Sequence, residues 1–147
     1  MAENLENPNF EQRLAGFRSA LEAAGVPLHS TGIAAGGDSW DGGFYAMRRI
    51  LEAGPAPDGV LAANDPAALS ACRALQQAGL RVPDDVRVIG FDDIHLAAQA
   101  EPALTTVKVE KLELGSLGAT RLLDLLAGVE PQRRTVLPTT LVARASA

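Results

Sequence analysis

The chain has 147 residues, of which 47% are hydrophobic and 21% charged, and its net charge is −5. This composition suits one globular domain with a buried core and excludes a disordered segment. Basic residues cluster no further than the pairs at 48–49 and 133–134, which excludes a duplex-binding surface. A polar N-terminus and the lack of a long apolar run exclude a membrane span, so we expect a cytoplasmic location.

The first predicted elements are two helices separated by a weaker segment. Apolar residues recur at helical spacing from about Phe10 to Ala24, and Gly25 then favours a stop. Residues Pro27–Ala35 are a candidate strand, followed by a loop rich in glycine and aspartate, Gly36–Gly43. A second helix extends from there to the breaker Gly54.

A strand and a third helix follow. The apolar run Gly59–Ala63 predicts a short strand, and Asn64–Pro66 opens a helix that stops at Gly79. Cys72 lies on the apolar face of this helix. It is the single cysteine, so we expect a small buried side chain and no disulfide within the chain.

The most informative segment is an apolar run with an acidic end. Val86–Phe91 predicts a buried strand, which ends in Asp92 and Asp93. Ligands of open parallel sheets bind outside the carboxyl ends of the strands. Asp92 is therefore the leading ligand-binding candidate, and Asn64, which ends the preceding strand, is the second because an amide both donates and accepts hydrogen bonds.

The final elements complete an α/β pattern. Leu112–Ala127 predicts a helix whose leucines surround too much of its circumference for one buried stripe, so we expect a missing partner surface. Thr135–Ala143 predicts a last strand interrupted by Pro138. The alternation of strands and helices predicts a parallel sheet with helices on both faces, a three-layer α/β/α fold.

Several separated motifs resemble the effector-binding region of the LacI/GalR family of bacterial transcriptional regulators. In chain order they are RLAGFRSALEAAGV, GVLAANDPAALSACRALQQAGLRVPDDVRVIGFDDI, EPALTTV, a helix beginning ELG, and LPTTLVARAS. The resemblance implies an incomplete lobe of the periplasmic-binding-protein type. Residues 1–147 would be mostly the C-terminal lobe of an effector-binding domain, and residues 108–128 would cross into a missing N-terminal lobe.

The same resemblance implies a function. The chain would bind a small-molecule effector, a sugar or another polyol, and would form a homodimer. DNA would be bound only through a helix-turn-helix segment that this chain lacks. A nucleobase would use similar hydrogen-bonding groups, so the effector stays open. We expect no cofactor. We also expect no metal site, because His29 and His95 lack Cys, His or carboxylate neighbours at metal-ligand spacing.

Each candidate residue has a structural alternative. On helical spacing alone Arg13 is a solvated arginine, whereas the resemblance implies that it donates paired hydrogen bonds to effector oxygens. Trp40 would either stack on a sugar ring or pack half-buried. We assign Asn64 to the ligand and Asp65 to capping the helix that follows.

The acidic pair divides in the same way. We assign Asp92 to the ligand, where it would accept from vicinal hydroxyls, and Asp93 to capping the short segment Ile94–Gln99. Both assignments allow a shift by one residue.

Two other functions compete with the sensor hypothesis. One is a fragment of a transport-associated sugar-binding protein, which an export signal would distinguish. The other is an enzyme that uses Asp92 and Asp93 as phosphoryl acceptor or metal ligands. We do not expect an enzyme, because the sequence has no phosphate-cradling glycine loop, no third acidic ligand at suitable spacing and no Ser/His/Asp arrangement.

Overall fold

The computed structural model describes residues 8–36, 40–130 and 132–147. The helices are α1 (Pro8–Ala23), α2 (Gly42–Ala53), α3 (Asp65–Gln77), α4 (His95–Gln99) and α5 (Lys111–Leu126), with a short 3₁₀ helix at Ser30–Gly32. The strands are β1 (Gly59–Leu61), β2 (Arg87–Asp92), β3 (Thr105–Val109) and β4 (Thr139–Val142). The predicted α/β class is confirmed.

The four strands form one sheet in the order β1-β2-β3-β4. β1, β2 and β3 are parallel, with Val60 opposite Val88 and Gly90 opposite Thr106. β4 is antiparallel to β3, which corrects the expectation of an all-parallel sheet. A parallel neighbour needs a crossover that returns over the sheet. α5, which connects β3 to β4, buries none of its residues and so does not act as such a crossover. β4 accordingly runs antiparallel beside β3.

The core lies between one face of the sheet and the pair α2 and α3. Gly90 in the middle of β2 allows α3 to approach closely, since a Cβ there would lie 2.2 Å from Asp65 Oδ1 and 3.3 Å from Ala68 Cβ. The large apolar side chains that are fully buried here are Met47, Leu75, Val86, Val88 and Leu104. Burial of this set stabilises the association of α2 and α3 with the sheet.

α1 lies at the opposite face. Side chains alternate along a strand, so Phe91 points away from the α3 side, and the Arg13 guanidinium carbon lies 3.8 Å from the centre of its ring. No residue of α1 is buried, so this second helical layer shields little of the sheet from solvent.

The segment Pro27–Ala35 departs from the sequence prediction. The strand expected at Pro27–Ala35 is wrong, because this stretch contains the 3₁₀ helix, in which Gly32 N–H donates to His29 O over 2.9 Å. Serine and glycine favour turns over strands.

The sequence interpretation predicted no bounds for β3. Part of the predicted loop Gly36–Gly43, residues 37–39, lies outside the described residues.

α5 has the exposure that its leucines predict. It ends before Gly128, whose φ of 73° is the left-handed conformation expected after a helix. Within the described residues, no helix has both the length and the apolar composition needed to cross a bilayer. The leucines of α5 that are more than half exposed are Leu112, Leu114, Leu122, Leu123, Leu125 and Leu126.

Cys72 is partly buried against the core, as predicted. Burial raises the pKa of its thiol to about 11, which keeps it protonated and unreactive near neutral pH.

Candidate functional site

Arg13, Asn64 and Asp92 come together at the carboxyl ends of β1 and β2. Arg13 Nη1 donates a hydrogen bond to the carbonyl of Ala63, the residue before Asn64. Arg13 Nη2 lies 3.8 Å from Asp92 Oδ1. The guanidinium also stacks on Phe91, so it is held in place from three directions. The structure therefore places the three residues on one rim of the sheet, whereas their contact with a ligand stays a prediction.

The charges at this rim are only partly compensated. The side chains of Arg13 and Asp92 are 27% and 33% exposed. Burial lowers the pKa of Arg13, and the nearby Asp92 only partly opposes this. Burial also raises the pKa of Asp92, with Asp65 adding to the effect and Arg13 and Lys111 opposing it. For both partners the effect of burial on the pKa is larger than the effect of the opposite charge.

The backbone at the acidic end of β2 adopts an uncommon conformation. Asp92 has φ of 106° and Asp93 has φ of 50°, both in the range that favours glycine. Aspartate tolerates this range better than most residues do. Lys111, the first residue of α5, donates from Nζ to the carbonyl oxygens of Asp92 and, over 3.2 Å, of Asp93. Sequence reasoning missed Lys111, because no local pattern links it to a turn 18 residues earlier.

The assignments of Asn64 and Asp65 require a correction. Asn64 is the N-cap of α3, and its Oδ1 accepts the Ala67 N–H over 2.9 Å. The prediction that Asp65 is the cap is therefore wrong. Asp65 is fully buried instead, and it accepts hydrogen bonds from the Thr106 hydroxyl at Oδ1 over 2.5 Å and from the Ile94 N–H at Oδ2 over 2.8 Å. It joins α3 to β3 and to the start of α4.

The predicted capping role of Asp93 is also wrong. α4 begins without a side-chain cap, because its N-cap residue is Ile94, whose side chain cannot accept a hydrogen bond. Asp93 Oδ1 instead accepts a hydrogen bond from Arg144 Nη2 over 2.7 Å. Arg144 was not recognised from the sequence, although it belongs to the closing motif LPTTLVARAS.

The remaining candidates contribute less. Trp40 is 52% exposed and lies two residues before the start of α2. Its stacking role stays a prediction. His29 and His95 are exposed. Across the described residues, no three His, Cys, Asp or Glu side chains are grouped as a metal site would require.

The hollow beside the rim is small. It lies between α1 and the end of β1, encloses about 20 Å³ and is lined by Phe10, Arg13, Leu14, Phe17 and residues 61–63. This volume holds little more than a water molecule, so a sugar at the rim would lie mostly outside it.

Comparison with known proteins agrees with the fold and with the resemblance. Residues 2–147 match the family described as the periplasmic binding protein-like domain. The chain belongs to this family. It is 42% identical over 137 residues to the HTH-type transcriptional regulator CelR of Thermobifida fusca, covering 92% of this chain and 40% of that protein.

Solved structures give the same result. A structure of a transcriptional regulator CelR–cellobiose complex superposes with a TM-score of 0.94 at 38% identity, covering 100% of this chain and 45% of that one. A sugar-binding LacI-family regulator from Escherichia coli, in complex with phosphate, gives a TM-score of 0.90 at 33% identity over 99% of this chain and 52% of that one. The resemblance to LacI-type regulators is confirmed. The chain spans about two fifths of the length of the curated relative.

Proposed function

We propose that this chain is the effector-binding part of a LacI-type transcriptional regulator and that its effector is a sugar or another polyol. The observation that supports this most directly is the meeting of Arg13 and Asp92 beside Asn64 at the strand ends. Relatives of this chain are named as transcriptional regulators, and one is named in complex with cellobiose.

The rim suits a ligand with neighbouring hydroxyl groups. A hydroxyl can donate to the Asp92 carboxylate while it accepts from the Arg13 guanidinium, and the 3.8 Å separation between those groups leaves their pairing loose. Both side chains are partly buried, with 27% of Arg13 and 33% of Asp92 exposed. New hydrogen bonds from a ligand would therefore replace lost hydration without first breaking a tight ion pair.

We further propose that the effector acts by favouring a closed arrangement of this lobe with a second lobe. An effector shifts such an equilibrium only if it binds one arrangement more tightly than the other. The exposed leucines of α5 support a contact with a further protein surface, and residues 108–128 are the segment that we expect to cross to the second lobe. Homodimer formation, a cytoplasmic location and DNA binding through a separate helix-turn-helix segment complete this proposal.

Binding to this chain alone should be weak. The hollow of about 20 Å³ would leave most of a sugar in contact with water, and water exclusion by a second wall would be missing. The suitable experiment is therefore an NMR titration of the isotope-labelled chain with millimolar cellobiose, glucose and a free nucleobase, one at a time.

We expect a sugar to shift resonances of Arg13, Asn64 and Asp92 in fast exchange. Arg13→Met and Asp92→Asn should each abolish these shifts, because each removes a charged partner of the hydroxyls. Arg133→Met is the matched control, since the Arg133 side chain is 93% exposed. Shifts confined to other parts of the chain, or a preference for the nucleobase alone, would contradict the sugar proposal.

A further inference from the structure

We propose that Arg144 is a positioning residue for the effector site. By binding Asp93, it holds the Asp92–Asp93 turn in the backbone conformation that directs the Asp92 carboxylate toward Arg13. The inference rests on the proposed function for its biological meaning, although the positioning itself can be tested without a ligand.

Arg144 is fixed by three hydrogen bonds. Nη2 donates to Asp93 Oδ1 over 2.7 Å, Nη1 donates to the Leu104 carbonyl over 2.8 Å, and the backbone N–H donates to Thr105 Oγ1 over 2.8 Å. The side chains of Arg144 and Asp93 are only 19% and 18% exposed. A guanidinium can bond two acceptors at once in a fixed geometry, which an ammonium on a flexible stem does less well.

The segment that carries Arg144 is itself anchored. Ser146, two residues further on, is fully buried between β2 and β3. Its hydroxyl donates to the Val88 carbonyl over 2.6 Å and accepts the Thr105 N–H over 2.8 Å. The segment that carries Arg144 toward Asp93 is therefore held by buried hydrogen bonds.

The turn requires such support. Two consecutive non-glycine residues with positive φ, Asp92 and Asp93, persist only where the surroundings fix them. Lys111 binds the carbonyl side of this turn, and Arg144 binds the side chain of Asp93. The ion pair of Asp92 is formed with Arg13, so Arg144 acts on the site through Asp93.

The charges that face Asp92 make the proposal measurable. They are Arg13 from α1, Asp65 from α3 and Lys111 from α5. If Arg144 holds the geometry, its loss releases the Asp92 carboxylate into water, and the pKa of Asp92 falls toward its ordinary value because burial is the main cause of its elevation. If Arg144 contributed only positive charge, its loss would raise the pKa of Asp92 instead.

The experiment is ¹³C-detected NMR of the ligand-free full chain. It records the pH titration of the Asp92 carboxyl and the Cα and Cβ shifts of residues 92 and 93. In Arg144→Met we expect these backbone shifts to leave the left-handed range and the Asp92 titration midpoint to move down. Arg144→Lys, which keeps the charge but not the two-acceptor geometry, should move both in the same direction by less. Arg133→Met should change neither.

A folded Arg144→Met chain with unchanged Asp92 backbone shifts, or with a higher Asp92 midpoint, would overturn the proposal. If that variant fails to fold, Asp93→Asn decides, because it removes the charged acceptor while Arg144 keeps its bonds to Leu104 and Thr105. Asp93→Asn should move the Asp92 backbone shifts out of the left-handed range, and unchanged Asp92 backbone shifts would overturn the proposal. The midpoint is not the readout for this variant, because removal of the neighbouring negative charge lowers the pKa of Asp92 by itself. No ligand is used, so this outcome is independent of whether the chain binds a sugar.

Discussion

Two regions of this molecule use the same apolar residue types in opposite ways. In the layer formed by α2, α3 and the inner strands, Met47, Leu75 and Leu104 are fully buried. In α1 and α5, by contrast, no residue is buried, and Leu112 is 89% exposed. The first region has the packing of a complete domain core, whereas the second presents apolar side chains to solvent.

The difference shows where the stability of the chain originates. Removal of apolar surface from water stabilises α2 and α3 on the sheet, whereas α5 gains little from its leucines in this chain. The first residue of α5, Lys111, is bound to the carbonyl groups of Asp92 and Asp93. α5 is therefore attached to the candidate site at its beginning, and the rest of the helix is available for another surface.

The largest effect is expected from truncating a leucine in each region. Leu75→Ala should lower the free energy of unfolding by about 2–5 kcal/mol, because it leaves a cavity in a packed core. Leu112→Ala, the matched control, should change it by no more than about 0.5 kcal/mol. Urea denaturation followed by circular dichroism measures both. Equal losses for the two variants would show that α5 is packed in solution.

The next effect concerns the polar part of the core. Asp65→Ala should cost about 3 kcal/mol, because it leaves the Thr106 hydroxyl and the Ile94 N–H without their buried acceptor. Asp58→Ala, at an exposed position, should stay within about 0.5 kcal/mol of the parent chain. An Asp65→Ala variant that unfolds at the parent's urea midpoint would show that Asp65 does not join these elements.

Sequence patterns predicted the elements whose signals are local. The start of α3 at Asn64–Pro66 and the end of α5 before Gly128 follow from the residues at those positions alone. The strand with the acidic end was also found, since apolar β-branched residues and a following carboxylate pair are local features.

The roles of the neighbouring polar residues at the ends of β1 and β2 could not be predicted from local patterns. Whether Asn64 or Asp65 caps the helix depends on Thr106, which is 41 residues away, and the role of Asp93 depends on Arg144, 51 residues away. A shift by one residue turns a side chain from solvent into the core. The direction of β4 likewise depends on where α5 lies, which its own sequence does not specify.

A smaller effect is expected on self-association. Replacing Leu122, Leu125 and Leu126 together by glutamine should leave the urea midpoint nearly unchanged, because these side chains are more than half exposed. The triple variant should sediment as a smaller species than the parent chain at the same concentration, since a large exposed apolar patch favours association. Identical sedimentation of a monomeric parent and variant would show that α5 does not mediate contacts between copies.

The smallest effects are pH dependences of opposite sign at two aspartates, Asp85 before β2 and Asp92 at its end. Asp85 accepts hydrogen bonds from Arg81, which lowers its pKa from 3.8 to about 2. Its stabilising contribution is present above the unfolded pKa of 3.8 and is lost as the pH falls through about 2. Asp85→Asn should remove this acid-side loss, as urea midpoints measured across the acid range would show.

Asp92 should behave in the opposite way, because burial raises its pKa above the ordinary value of 3.8. In the window above pH 3.8 the unfolded chain has released this proton while the folded chain still holds it. The free energy of unfolding therefore falls as the pH rises through this window, and the dependence ends above the folded pKa. Asp92→Asn should flatten the curve there and leave the acid-side loss due to Asp85 intact. A parent chain whose stability rises through this window, with no change in Asp92→Asn, would mean that Arg13 compensates the buried carboxylate fully, and the rim would then have no unsatisfied charge to offer a ligand.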